Sequence, residues 1–235
     1  MNPAKQESID FQCPYCKSAL SFPEKDFGTA QECAFCSETV VLPSDTEPAG
    51  KLPLPIKTKR LTIRLLRTDD LPDWLEFIKD DDSYKYIEYN APNDEEAISW
   101  LENGKALRLT NPIGRLALGI ELQSVAKIIG YLSFSLNDPE DHRRGAFHML
   151  IHPDYRRQGY GTEALLGLFD FGMNGIALHD IRVRIDSRDL AARRMVIKAG
   201  MKLEGEFIEE CRIKGEWVSS AYYVIFKTSP LNLGK

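Results

Sequence analysis

The 235-residue sequence is poor in histidine, with four in all, the first at His142. It has no run of eighteen or more apolar residues, so no segment reads as a transmembrane helix. Residues 1–11 carry neither the basic start nor the apolar stretch of a secretory signal, and the expectation is a cytoplasmic protein. It also lacks a basic excess: 30 Lys and Arg stand against 35 Asp and Glu, a net charge of −5. Residues 1–43 hold three Lys and six acidic residues, a balance of −3. That is a poor electrostatic footprint for nucleic acid, and cationic amines or basic protein tails fit it better. What remains is ordinary globular composition, 43% apolar and 28% charged, long enough for one substantial core and a small second unit.

Cysteine is scarce as well, but it is not scattered. Four of the five fall in the first 36 residues as two pairs, Cys13-Pro14-Tyr15-Cys16 and Cys33-Ala34-Phe35-Cys36. A C-x2-C turn presents two thiolates at one tip, and two such turns complete a tetrahedral zinc shell without any histidine. The spacing predicts that Cys13, Cys16, Cys33 and Cys36 bind one zinc ion in a closed, structural ribbon over residues 10–42, with short strands after each pair. A unit of that size cannot bury enough apolar surface to fold alone, so the metal would supply the missing stability. Cys-Pro-Tyr-Cys also resembles the active-site motif of glutaredoxins. That chemistry needs a strand before it and a helix after it, whereas only twelve residues precede Cys13 and Ser21-Phe22-Pro23 soon breaks any helix. Cys211, alone in an acidic segment, reads as structural.

Residues 43–59, PSDTEPAGKLPLPIKTK, contain four Pro and no amphipathic period, and read as a semi-extended linker. From 60 to 228 strand and helix patterns alternate. Strands are expected at 61–66, 115–121, 127–136, 145–151, 180–185, 201–213 and 217–226. Helices are expected from Thr68 to about 79, where Leu71, Trp74, Leu75 and Ile78 recur at helical spacing, from Asn93 or Asp94 onward, and over 159–173 and 190–199. The order βααβββαβαββ predicts an α/β fold with a mixed, mostly antiparallel sheet flanked by helices.

Between the strand at 145–151 and the following helix lies Arg156-Arg157-Gln158-Gly159-Tyr160-Gly161. A glycine-containing turn lets backbone approach a pyrophosphate closely, and the unpaired N–H groups of the next helix point at it. Nucleotide sites use the same device, but a dinucleotide loop would open the domain after its first strand, and nothing here resembles a Walker lysine.

The segment 147–164, FHMLIHPDYRRQGYGTEA, resembles the GNAT superfamily of N-acetyltransferases, whose pattern of Arg or Gln, two residues, Gly, one residue, Gly or Ala is met by Arg156, Gly159 and Gly161. Lys198-Ala199-Gly200-Met201 and the opening Leu61-Thr62-Ile63-Arg64-Leu65-Leu66-Arg67 are similar to the branch containing ribosomal-protein N-terminal acetyltransferases. The resemblance implies acetyl-CoA as cosubstrate. Its pyrophosphate would lie on Arg156, Arg157, Gln158, Gly159, Tyr160, Gly161 and Thr162, mainly through backbone N–H groups. Its pantetheine arm would lie along Met149, Leu150 and Ile151, where this strand splays from the next. Arg193, Arg194 and Lys198 either reach the adenosine phosphates or form a solvated helix face.

The chain departs from the family pattern at Asp189, where relatives place an Asn beside the cofactor, at Ala192, where they place Ser, at Val196, where many place a Tyr acid, and at Ala146, often a carboxylate base. His148 lies two residues beyond Ala146 on the same strand face and is the candidate replacement base; Tyr222, or its neighbour Tyr223, is the candidate acid near the leaving thiolate, and water remains open as the base. The expected function is acetyl transfer to a primary amine, of a protein N-terminus or a small molecule, with the ribbon free to recognise a protein partner. The alternative from another class is a coenzyme-A-binding adaptor with weak catalysis and the ribbon as its partner-recognition module, which Ala146, Asp189 and Val196 favour.

Overall fold

The computed structural model describes residues 8–12, 18–23, 30–37, 39–41, 54–106, 115–136 and 144–228. Near the N-terminus, β1 (Ser8–Gln12) pairs antiparallel with β2 (Ala19–Pro23), and β3 (Ala30–Glu32) with β4 (Thr39–Val41). The two hairpins share one register. Gln12 faces Ala19 and Glu32 faces Thr39, so each connection has six residues, 13–18 and 33–38, with cysteine first and fourth in both. Cys33 is fully buried, and the Ser37 N–H donates to its carbonyl at 2.9 Å, closing the turn that carries Cys36. Cys13 and Cys16, half of the predicted four-thiolate set, lie outside the described residues; among the described residues no three metal-ligating side chains gather.

The remainder forms one eight-stranded sheet in the order β11-β12-β10-β9-β8-β7-β6-β5. Its strands are β5 (Ile56–Lys57), β6 (Leu61–Leu65), β7 (Arg115–Leu122), β8 (Lys127–Leu136), β9 (Arg144–Ile151), β10 (Asp180–Asp186), β11 (Lys202–Ile213) and β12 (Glu216–Phe226). Among the described residues only β9 and β10 run parallel, and the other pairs of this sheet are antiparallel. The predicted mixed, mostly antiparallel α/β fold is what forms. β5 lies within the stretch read as linker: its two residues pair with Ile63 and Thr62, a strand too short for any periodicity to reveal.

Four helices cover the two faces. α1 (Leu71–Ile78) and α2 (Asp94–Ala106) lie on one, where Leu66, Trp74, Phe77, Ile78, Ala97 and Leu101 pack with Leu150. α3 (Tyr160–Asp170) and α4 (Leu190–Lys198) lie on the other, where Leu165, Leu168 and Phe169 pack with Ile63, Leu118, Phe134 and Phe147. α1 starts three residues later than Thr68 predicts. Residues Thr68–Asp70 make a 3-10 turn, because the Asp70 carboxylate accepts the Arg67 N–H at 2.7 Å and is held by two 2.8 Å bonds from Arg64. α2 opens with a reciprocal cap: the Glu96 N–H donates to Asn93 Oδ1 and the Asn93 N–H to Glu96 Oε2, both at 2.9 Å. No described helix is long and apolar enough to cross a membrane.

A side-chain period of two divides β9 between these cores. Phe147, Met149 and Ile151 pack toward α3 and α4, Leu150 toward α1 and α2, and His148 shares the Leu150 face.

Candidate active site

The parallel pairing of β9 with β10 covers only Arg144 to Ala146 against Asp180 to Arg182. Beyond it the strands part, leaving one backbone edge of residues 147–151 without a strand partner while the opposite edge stays bonded to β8 as far as Ile151 against Gly130. The splay expected for a pantetheine arm is therefore present. A cleft of about 850 Å³ runs from this gap, bounded by Met149, Leu150 and Ile151, by the loop preceding α3, and by α4.

The loop is shaped for an anion. Arg157 (φ 60°) and Gly159 (φ 82°) are both left-handed, and successive N–H groups in such alternating backbone converge on one point. The first N–H groups of α3 follow immediately, unpaired within the helix and at its positive end. A Cβ on Gly161 would come within 2.6 Å of Met195 Sδ on α4, so bare backbone is what leaves the cleft open there. The residues thus fit a pyrophosphate, and acetyl-CoA bound here would supply the activated acetyl thioester.

Of the residues expected to bind the cofactor, Met149, Leu150, Ile151, Arg156, Arg157, Gly159, Tyr160, Gly161, Thr162 and Asp189 all line the cleft. Gln158 does not: its side chain donates to the Asp154 carbonyl at 2.9 Å. The Arg156 guanidinium is engaged elsewhere, donating to Asp80 Oδ2 (2.9 Å), Ser83 Oγ (2.6 Å) and the Ile151 carbonyl (2.9 Å), which ties the segment between α1 and α2 to the loop. Asp189 caps α4, accepting the Ala192 N–H at 2.9 Å, a role an acidic side chain fills as well as an Asn. Val196 is buried in the core and Arg193 turns to Tyr223 Oη and the Ser187 carbonyl, while Arg194 and Lys198 line the cleft. Asp82, Ser83 and Tyr86 also line it, a contribution invisible in sequence because they lie more than sixty residues before Met149, Leu150 and Ile151.

His148, Arg184 and Tyr222 share the sheet face opposite α3 and α4. Ala146 is level with Arg182, two residues on place His148 and Arg184 on that same face across the gap, and Arg184 is paired with Tyr222. Burial, and then the nearby Arg115 charge, push the His148 pKa down to about 4, so its imidazole is neutral at physiological pH. Tyr222 donates to Glu210 Oε1 at 2.6 Å; burial and that carboxylate raise its pKa and keep the phenol protonated. Arg184 pairs with Glu88 from the segment before α2. Tyr223 is 1% exposed and faces the core.

A family model described as an acetyltransferase (GNAT) domain matches residues 60–202. Among curated proteins, the uncharacterized N-acetyltransferase YnaD of Bacillus subtilis is 27% identical over 173 residues, covering 73% of this chain and 96% of that protein. Among solved structures, the ribosomal-protein-S5-alanine acetyltransferase of Vibrio fischeri superposes with a TM-score of 0.64 at 16% identity, covering 73% of this chain and 96% of that one. The spermidine N-acetyltransferase of Vibrio cholerae, in complex with CoA and spermine, gives 0.63 at 18% identity over 73% and 98% of the two chains.

Proposed function

As the chain belongs to the acetyltransferase (GNAT) domain family and is an acetyl-CoA-dependent N-acetyltransferase, we propose that its acceptor is a primary amine, borne by a protein N-terminus or a small molecule. The observation that carries this reading is the opening between β9 and β10, with the anion-binding loop on one side of the sheet and His148, Arg184 and Tyr222 on the other. Donor and acceptor can then meet through the sheet. The similarity to one enzyme named for a ribosomal-protein alanine and another for spermidine supports both acceptor types. A panel of N-terminal peptides, polyamines and aminoglycosides, incubated with acetyl-CoA and followed by thiol release, tests the proposal. Release stimulated by at least one amine is expected. Tight coenzyme A binding without stimulation by any of them would favour the adaptor reading instead.

In this scheme His148 takes a proton from the acceptor nitrogen. Against a free lysine-like ammonium of pKa about 10.4, a base of pKa near 4 is too weak. Water therefore takes the first proton, from the ammonium; the neutral amine then attacks the acetyl carbon, and the nitrogen that has begun to bond is acidic enough for the neutral imidazole to take its second proton. Tyr222 stands protonated to serve the departing thiolate, and Met149 to Ile151 align the pantetheine arm. His148→Ala is expected to lower kcat by about 100-fold with the acetyl-CoA KM unchanged. The sign of the pH effect follows from the depressed pKa: activity is lost as pH falls through about 4, where the imidazole becomes charged, and not near 6.5. A pH–kcat profile of both proteins checks this, and equal profiles would assign the proton to water.

The N-terminal unit is read as a zinc ribbon at residues 10–42, joined to the transferase domain by the stretch 43–59, whose end is taken up by β5 of the domain's sheet. The matching cysteine positions in two hairpin connections of equal length support it. Cys13, Cys16, Cys33 and Cys36 would hold the ion, which would supply folding stability and leave the ribbon as a surface for a protein partner.

A further inference from the structure

Arg60 and Glu163 stand outside the cleft, yet they bear directly on its loop. Glu163, in the first turn of α3, accepts the Arg60 N–H (2.7 Å) and the Thr58 hydroxyl (2.6 Å) on Oε1, and Arg60 Nε on Oε2 (2.7 Å). The Arg60 carbonyl in turn accepts the Gln123 N–H from the turn after β7 at 3.0 Å. Arg60 is thereby fixed at both backbone groups and at Nε. From this seat Nη1 donates to the Gln158 carbonyl at 3.1 Å, and the guanidinium lies 4.2 Å from the centre of the Tyr160 ring.

The Gln158 bond matters because of what a planar trans peptide does. Its C=O and the following N–H point in opposite directions. A Gln158 carbonyl directed at Arg60, behind the loop, sends the Gly159 N–H the other way, toward the cleft that Gly159 lines. We propose that Arg60 and Glu163 are positioning residues for the donor: Arg60 sets the Gln158–Gly159 peptide so that its N–H faces the pyrophosphate, and Glu163 holds Arg60 in place to do so. The proposal rests on the reading of loop 157–162 as the pyrophosphate cradle. Neither side chain lines the cleft. The contact with the Tyr160 ring holds the first residue of α3, so the loop is held at two points by one guanidinium.

A positioning role predicts a loss confined to donors that carry a pyrophosphate. Arg60→Ala is expected to raise the KM for acetyl-CoA about tenfold, one hydrogen bond's worth or slightly more, with kcat at saturation within twofold. With S-acetyl-pantetheine, which has the thioester arm but no pyrophosphate, kcat/KM should stay within twofold of the parent. Arg60→Lys, which keeps the charge but not the fork, should fall nearer to Ala than to Arg. Glu163→Gln, which keeps an acceptor, should show a weaker form of the same pattern and serves if Arg60→Ala fails to fold. An unchanged acetyl-CoA KM in a folded variant would overturn the proposal. An equal loss with both donors would do so too, since that marks general damage to the domain. Calorimetric titration of coenzyme A separates this outcome from failure of the acceptor reading. Affinity should fall by the same factor even if no amine in the panel is acetylated.

Discussion

Gly159→Val abolishes coenzyme A binding at concentrations that saturate the parent protein, with an expected loss of about 100-fold or more in affinity measured by calorimetry. Gly159 has φ 82°, a left-handed conformation that costs an ordinary residue roughly 1–2 kcal/mol and a β-branched one more. The strained loop relaxes by turning its peptide planes, and each tenfold in affinity corresponds to about 1.4 kcal/mol, so strain alone removes much of the binding. The new side chain also grows toward Arg60 Nη2, 3.5 Å from where its Cβ would sit. Gly161 differs in cause. A side chain there meets Met195 Sδ, the flexible end of a methionine, so Gly161→Ala is expected to be milder than Gly161→Val, whose two further methyl groups extend from a Cβ already 3.4 Å from Met149 Cε. Thermal melting of each variant distinguishes lost binding from lost folding. Parent-like affinity in Gly159→Val would place the cofactor away from this loop.

The second large effect concerns metal. Protein purified without chelator is expected to contain about one zinc per chain, and Cys33→Ser to contain almost none. Zinc contributes on the order of 10–16 kcal/mol to the folding of finger-sized units, far more than two hairpins of three to five residues per strand can supply by burial. Removing it should expose residues 1–50 to limited proteolysis while leaving 60–228 resistant and acetyl-CoA affinity unchanged. Metal-free protein with all four thiols intact, or a disulfide between neighbouring cysteines in a reduced preparation, would rule the site out.

Much of the sheet was legible because its strands are long and patterned, and the candidate cradle stood out because its glycine spacing before a helix matches the family pattern. β5 was not, since two residues in a proline-rich stretch have no period. Local spacing also placed Arg156 in the cradle but could not show that its guanidinium reaches back to Asp80 and Ser83, more than seventy positions away. His148 was found from strand parity with Ala146. Its depressed pKa was hidden, because it depends on burial beneath elements distant in sequence and on Arg115 of another strand. Asp189 looked like a defect when measured against relatives, and the hydrogen bond to the Ala192 N–H gives it a local purpose. Arg60 and Glu163 lie 103 positions apart, and no short motif joins them.

The alternation along β9 carries a lesson for redesign. Neighbouring residues of this one strand belong to separate neighbourhoods: Met149 and Ile151 to the helices beside the cradle, His148 and Leu150 to the opposite layer. On the proposed reading, selectivity for the nucleophile and grip on the thioester donor are written in interleaved letters of the same eight-residue word. A library confined to Ala146 and His148 of β9 would explore new acceptors with little disturbance to the donor. One confined to odd positions would do the reverse. Two properties that meet at a single bond can in this way drift independently through a protein's history.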